Sequence, residues 1–138
     1  MKEEWKTVKA YYDENARKEW QRLDDNPFEF IFTTYMMDKW IQSGDRILDI
    51  GGGPGRYSIY YSQKNCDVTL VDLSDGNISL ANEKAKEMNL TFPTYVKNCL
   101  ELEELNLGLY DHVFLMGPLY HLKEDAEQKR RSRLPFPT

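Results

Sequence analysis

The chain has 138 residues, enough for one domain with a hydrophobic core, and its 41% hydrophobic and 30% charged residues are typical of a globular rather than a disordered protein. Its formal net charge of -5 argues against a nucleic-acid backbone as the main partner. Two cysteines are too few for a disulfide framework, and we find neither an apolar signal core nor a membrane-spanning run, so we expect a cytoplasmic protein.

Two helices are predicted before the first strand. Residues 3–24 repeat apolar side chains at spacings of three and four, as an amphipathic helix does. A second helix is predicted at about 27–42, because Pro27 suits a first helical position and Asn26 can cap it. The large apolar residues that this second helix carries are Phe28, Ile31, Phe32, Tyr35, Met36 and Trp40.

Strands and helices then alternate, which predicts a parallel sheet with right-handed crossovers. The predicted strands are 46–50, 67–72, 93–96 and 110–116, and the predicted helices are about 55–64, about 75–89 and 123–133. Ser74 is the predicted cap of the helix at 75–89. The buried stripe predicted for that helix is Ile78, Ala81, Ala85 and Met88.

A glycine-rich turn, Gly51-Gly52-Gly53-Pro54-Gly55, joins the first of these strands to the following helix. Glycines there would let the backbone approach a ligand closely. The helix that begins near Gly55 would direct its free N–H groups and the positive end of its dipole toward an anionic group. This pattern is typical of the nucleoside-binding half of a doubly wound sheet.

An acidic residue, Asp72, ends the second strand. Its carboxylate can accept hydrogen bonds from both hydroxyls of a ribose, and its charge would repel a 2′-phosphate, which disfavours NADP. Arg56 stands where a Gly-x-Gly-x-x-Gly dinucleotide turn needs its last glycine. An NAD-dependent oxidoreductase is therefore a less favoured alternative.

Three segments together resemble the class I S-adenosylmethionine-dependent methyltransferases. They are the strand–turn–helix–strand unit of 47–72, Met-Gly-Pro-Leu-Tyr-His-Leu at 116–122, and Tyr-Tyr-Asp-Glu-Asn-Ala at 11–16. The resemblance covers most of residues 11–130. It implies an α/β, Rossmann-like three-layer sandwich with a mostly parallel sheet of order 3-2-1-4.

The resemblance also implies one domain in three parts: a helical lid at 1–43, a cofactor-binding core at 44–122, and a helix with an irregular tail at 123–138. A complete family member has three further strands, and none is found in this sequence. On that ground we expect that activity could be impaired.

The implied cofactor is S-adenosylmethionine. In the family an acid at the position of Asp49 helps to hold the glycine turn and the amino-acid end of the cofactor. Adenine would lie near Asn98, where the family usually has an acid, although the amide oxygen can still accept a hydrogen bond. Leu73 and Leu100 would form apolar walls. The predicted cofactor-binding residues are Asp49, Gly51, Gly52, Gly53, Gly55, Asp72, Leu73, Asn98, Cys99, Leu100, Met116 and Tyr12.

Methyl transfer from this cofactor needs alignment and exclusion of water rather than a metal or a nucleophilic side chain. A base is needed only where the acceptor must lose a proton. Tyr120 and His121, just after the fourth strand, are the catalytic candidates, although packing is the more ordinary role of such a histidine. His112, inside the strand, is a weaker candidate.

We expect the acceptor to be a small molecule, because the segment after the fourth strand lacks the Asn/Asp-Pro-Pro-Tyr/Phe sequence of many methyltransferases that act on nucleic acid or glutamine. Neither nucleic acid nor a membrane is an expected partner. An unpaired fourth strand would expose an apolar edge that invites pairing with a second copy. The alternative function is thus an impaired S-adenosylmethionine-binding fragment that dimerises along Val113, Phe114, Leu115 and Met116.

Overall fold

The computed structural model describes residues 3–105 and 107–115, and its helices and strands follow the predicted alternation. Within this part the elements in chain order are α1 (Glu3–Asp25), α2 (Pro27–Met37), β1 (Arg46–Ile50), α3 (Arg56–Gln63), β2 (Asp67–Asp72), α4 (Asp75–Glu87), β3 (Thr94–Val96), a 3-10 helix (Cys99–Leu105) and β4 (His112–Phe114).

The strands form one parallel sheet in the order β3-β2-β1-β4. In the central pair, Ile47 lies beside Val68 and Ile50 beside Val71. The α/β class and the order 3-2-1-4 are confirmed. Because all strands run in one direction, the carboxyl ends of β1 and β2 lie side by side, and this carboxyl edge holds the candidate site.

Both faces of the sheet are covered, so the molecule has three layers. On one face, Ile47 and Val68 pack against Tyr57 and Tyr61 of α3, while Leu70 packs among residues of α1 and α4. The opposite face is covered by the 3-10 helix and the segment after it; the side chains that pack there are Leu48, Ile50, Val71, Leu102 and Tyr110. Burial on both faces explains why β1 and β2 are nearly continuous apolar runs.

Helix α1 contacts α4 through charged pairs and contacts α3 through an aromatic residue. Lys9 pairs with Asp75 at 2.8 Å, and Arg17 with Glu83 at 2.9 Å. Trp20 is buried, with the guanidinium of Arg56 centred 3.7 Å from its ring. Arg56 is the first residue of α3, so α1 is fastened to the turn that precedes α3. That α1 and α2 act as a lid remains a prediction.

Three predictions about the ends of helices are wrong. First, α2 ends at Met37 rather than near residue 42, because the Asp38 carboxylate accepts hydrogen bonds from the Tyr60 and Tyr61 hydroxyls, which tie the chain to α3. Second, Asn26 makes no side-chain cap hydrogen bond. Third, Met88 is 42% exposed, because it follows the last residue of α4 and precedes the left-handed Asn89.

The fourth strand is shorter than predicted, His112–Phe114 rather than 110–116, and within the described residues it pairs with β1 alone. Pairing of this edge with a second copy stays a prediction. The helix predicted at 123–133 and the tail after it lie outside the described residues. No helix in the described part of the chain is both long and apolar enough to cross a lipid bilayer.

Candidate functional site

The glycine turn lies between the end of β1 and the start of α3. Gly51, Gly53 and Gly55 all have positive φ angles, 69°, 62° and 85°. A Cβ added at Gly53 would meet nothing within 4 Å, whereas one added at Gly55 would lie 3.1 Å from the Cβ of Ala81. The turn therefore has one open side at Gly53 and one closed side, where it packs on α4.

Asp49 lies directly beneath this turn. A Cβ added at Gly52 would be only 2.6 Å from its Oδ1, so glycine is required there by the close approach of the carboxyl group. Asp49 is 1% exposed, and its Oδ2 accepts a hydrogen bond of 2.7 Å from the Ser58 hydroxyl. Its Oδ1 is buried and has no hydrogen-bond partner among the described residues. The site thus contains one buried acceptor that no described residue satisfies.

Burial raises the pKa of Asp49 to about 7. The Ser58 hydroxyl opposes this rise by stabilising the carboxylate, and the negative charge of Asp72 adds to it. The carboxyl group is therefore poised to ionise near neutral pH. A cation placed beside Oδ1 would favour the ionised form.

Asp72 ends β2 across the turn from Asp49, and it is 6% exposed. Its Oδ2 accepts from the Gly53 N–H at 2.9 Å, while Oδ1 accepts from the Ser74 N–H at 2.9 Å and from Asn77 Nδ2 at 3.2 Å. Burial raises its pKa, and the Ser74 and Gly53 N–H groups and the Asn77 amide oppose the rise. The negative charge of Asp72 is therefore stabilised by neutral hydrogen-bond donors of the protein.

The predicted adenine side is apolar, with one buried amide. Leu73 and Leu100 are partly buried and pack against the same cluster as Ile50 and Val71. Asn98 is 7% exposed, and its Oδ1 accepts a hydrogen bond of 2.9 Å from the Leu100 N–H. A carbonyl oxygen has two lone pairs, so Asn98 keeps the capacity to accept one more hydrogen bond.

The structure thus brings together the glycine turn, Asp49 and Asp72 by direct contact. Tyr12 lies on α1 and Cys99 begins the 3-10 helix, but their side chains are outside the described part of the structure. Met116, Tyr120 and His121 also lie outside the described residues.

His112 lies at the opposite, amino edge of the sheet, where its Nε2 is 2.8 Å from Asp45 Oδ2. In the described residues, no group of three or more His, Cys, Asp or Glu side chains is arranged to hold a metal ion.

Sequence reasoning missed two residues that hold the acids. Ser58, in the first turn of α3, bonds to Asp49, and Asn77, in the first turn of α4, bonds to Asp72. Each lies in the helix that comes directly after the strand of its acid, and each is 1% exposed. A polar residue among buried neighbours early in those helices was the signal that could have indicated them.

Comparison with known proteins identifies the family of this chain. Residues 47–132 match the family model described as a methyltransferase domain. A protein of Geobacillus sp. (strain WCH70), named as a methyltransferase, is 30% identical over 93 residues, which are 67% of this chain and 38% of that protein. The chain thus spans well under half the length of that curated relative.

Two solved structures show the same fold. Magnesium protoporphyrin IX methyltransferase from Synechocystis PCC 6803, with bound S-adenosylmethionine, matches with a TM-score of 0.69 at 20% identity, over 96% of this chain and 70% of that one. A TehB-like S-adenosylmethionine-dependent methyltransferase from Corynebacterium glutamicum matches with a TM-score of 0.68 at 24% identity, over 88% and 64%. With its matched domain and its sheet order, this chain belongs to the class I S-adenosylmethionine-dependent methyltransferase family.

Proposed function

We propose that this chain binds S-adenosylmethionine at the carboxyl edge of its sheet and is the cofactor-binding part of a methyltransferase that acts on a small molecule. The observation that carries the proposal is the pair of buried acids, Asp49 and Asp72, on either side of an open glycine turn. The donors that the chain directs at them are neutral. A ligand with a cationic group and a vicinal diol complements both acids.

The amino-acid end of the cofactor would lie between Asp49 and the start of α3. The buried, unpartnered Oδ1 of Asp49 fits an ammonium group, which carries three N–H donors. The first turn of α3 contains Arg56, Tyr57 and Ser58. The backbone N–H groups of a first helical turn have no carbonyl partner four residues earlier within the helix. A carboxylate at this helix start would be favoured by those N–H groups and by the helix dipole.

The ribose would lie against Asp72, next to the open side of Gly53. A carboxylate has about four lone-pair sites, and protein donors take three of them. Two ribose hydroxyls can therefore both bond to Asp72 only if one protein donor is released or shared.

The adenine would contact Leu73 and Leu100, with Asn98 as the hydrogen-bond acceptor for its amino group. Both leucines pack in the cluster that contains Val71, the residue before Asp72. Since Asn98 already accepts from Leu100, its contribution should be smaller than that of an acid at the same place.

When bound, S-adenosylmethionine supplies an activated methyl group, so the residues of this chain would orient it and exclude water. The acceptor and its pocket stay proposals, because the chain spans 38% of its curated relative. Tyr120 and His121 remain candidates for contact with the acceptor. The small-molecule class is supported by the acidic net charge of -5, which disfavours a nucleic-acid acceptor.

Isothermal titration of the purified chain with S-adenosylmethionine, and separately with NAD, tests the proposal. We expect saturable 1:1 binding of S-adenosylmethionine and no heat of binding from NAD. Binding of NAD in preference would indicate the oxidoreductase alternative. Binding of neither, by a chain shown by circular dichroism to be folded, would overturn the proposed function.

A further inference from the structure

The Asp72 carboxylate is held by a residue to which neither the sequence pattern nor the family comparison gives a role. Asn77 lies in the first turn of α4, with its backbone N–H bonded to the Ser74 hydroxyl at 3.1 Å. Its side chain is buried, at 1% exposed, and its Nδ2 lies 3.2 Å from Asp72 Oδ1. A carboxylate accepts and does not donate, so the amide must present its NH₂ group to Asp72.

The other end of the Asn77 amide indicates what the residue is for. Its Oδ1 is buried and has no hydrogen-bond partner among the described residues. Leaving a buried acceptor without a bond costs stability, whereas an apolar side chain of similar shape would avoid that cost. What the asparagine provides, and an apolar side chain would not, is the bond to the buried Asp72 carboxylate.

From these contacts we propose that Asn77 is a positioning residue, which fixes the Asp72 carboxylate in the orientation that receives the ribose hydroxyls. The inference rests on the proposed function, because it assigns the diol of the cofactor to Asp72. The Asn77 amide bonds to Oδ1 and the Gly53 N–H bonds to Oδ2, so together they fix the rotation of the carboxylate about its Cβ–Cγ bond.

The test separates an effect through the ribose from a general effect on structure. Titrations use S-adenosylhomocysteine and its 2′,3′-dideoxy analogue as probes, with Asn77→Leu and Asn77→Ala as variants. Asn82→Leu is the matched control, because Asn82 lies on the exposed side of the same helix and bonds to Thr94. Circular dichroism establishes that each variant is folded, and the smaller alanine serves if leucine does not fit the site.

We expect either Asn77 variant to bind S-adenosylhomocysteine about tenfold more weakly, because the Asp72 carboxylate is no longer held in the orientation that receives the ribose hydroxyls. The same variant should bind the dideoxy analogue within twofold of the original chain, and Asn82→Leu should change neither affinity. An equal loss for both probes would mean that Asn77 only supports the fold, and it would overturn the inference. So would unchanged affinity in Asn77→Leu while Asp72→Ala binds weakly, a result that leaves the proposed function standing. An original chain that does not distinguish the two probes would instead refute the ribose contact itself.

Discussion

The two edges of the sheet treat their acidic residues differently. At the amino edge, Asp45 accepts from the Gln42 N–H and lies 2.8 Å from His112 Nε2, and Asp67 pairs with Arg46 at 3.1 Å. At the carboxyl edge, Asp49 and Asp72 are 1% and 6% exposed, and their hydrogen bonds come from a hydroxyl, backbone N–H groups and an amide.

We infer from this difference that the acids of the amino edge stabilise the fold, whereas Asp49 and Asp72 at the carboxyl edge belong to a ligand site. The Gln42 N–H, and after it His112, lower the pKa of Asp45, so its ionised form is already stabilised by the chain. Burial raises the pKa of both Asp49 and Asp72. Buried acids with raised pKa values beside an open turn are typical of ligand sites. We therefore expect substitutions at the two edges to differ in their effects on stability and on ligand binding.

The largest effect on stability should come from Asp49. Its folded-state pKa of about 7 lies above the ordinary value of 3.8, so the folded state binds the proton more tightly than the unfolded state. Stability that is fully present below about pH 4 is therefore lost as the pH rises to 7 and above, by on the order of 4 kcal/mol. Asp49→Asn keeps an acceptor for Ser58 and carries no titrating proton.

We expect Asp49→Asn to remain more stable than the original chain at pH 8 and to lose this advantage toward pH 5. Urea unfolding at a series of pH values measures the difference. Asp67→Asn, which changes an exposed acid of the amino edge, is the control and should not reproduce the trend. A constant offset between Asp49→Asn and the original chain would show that Asp49 does not titrate in this range.

A medium effect is expected from the turn glycines. Gly55 and Gly44 have similar φ angles, 85° and 91°, and an alanine at either costs about 1–2 kcal/mol of backbone strain. At Gly55 the new Cβ also lies 3.1 Å from Ala81 and 3.3 Å from Leu70, which adds about 1–3 kcal/mol of overpacking. At Gly44 it meets nothing within 4 Å. Urea unfolding should therefore show a clearly larger loss for Gly55→Ala, and equal losses would contradict the close packing of the turn on α4.

The smallest effect is expected at the amino edge. Asp45→Ala removes the acceptor of the Gln42 N–H and the partner of His112, at a cost of about 1 kcal/mol. Because the folded-state pKa of Asp45 is lowered, its contribution is present above about pH 4 and is lost as the pH falls through that lowered pKa. Thermal unfolding at pH 7 and at successively lower pH values below 4 should show the stability deficit of the variant shrinking as the pH falls. A difference that persists in acid would refute the role of its charge.

The sequence predicts the central strands well and the element ends less well. The bounds of β1 and β2 are confirmed at both ends, because strands buried on two faces are apolar runs between polar neighbours. Ser74 is confirmed as a cap, since side-chain capping depends on local sequence. The end of α2 is not local, because it depends on hydrogen bonds from Tyr60 and Tyr61 to Asp38.

Part of the candidate site is likewise predictable from the sequence, and part is not. The glycine turn and its two acids follow from the order of strand, turn and helix, so their meeting at one edge is predictable from the sequence. Ser58 and Asn77 are not, because a serine or asparagine in the first turn of a helix ordinarily serves its own helix. Only the packing of α3 and α4 on the sheet brings these side chains to Asp49 and Asp72.

The affinity of Asp72→Ala for S-adenosylmethionine, titrated beside Asp45→Ala, tests the central claim most directly. Asp72→Ala removes the acceptor for two ribose hydroxyls and should weaken binding about 100-fold or more, since each bond to a charged group contributes about 1.5–3 kcal/mol. Asp45→Ala should be less stable but bind as the original chain does. Unchanged affinity in a folded Asp72→Ala, or an equal loss in both variants, would contradict the division of roles between the two edges.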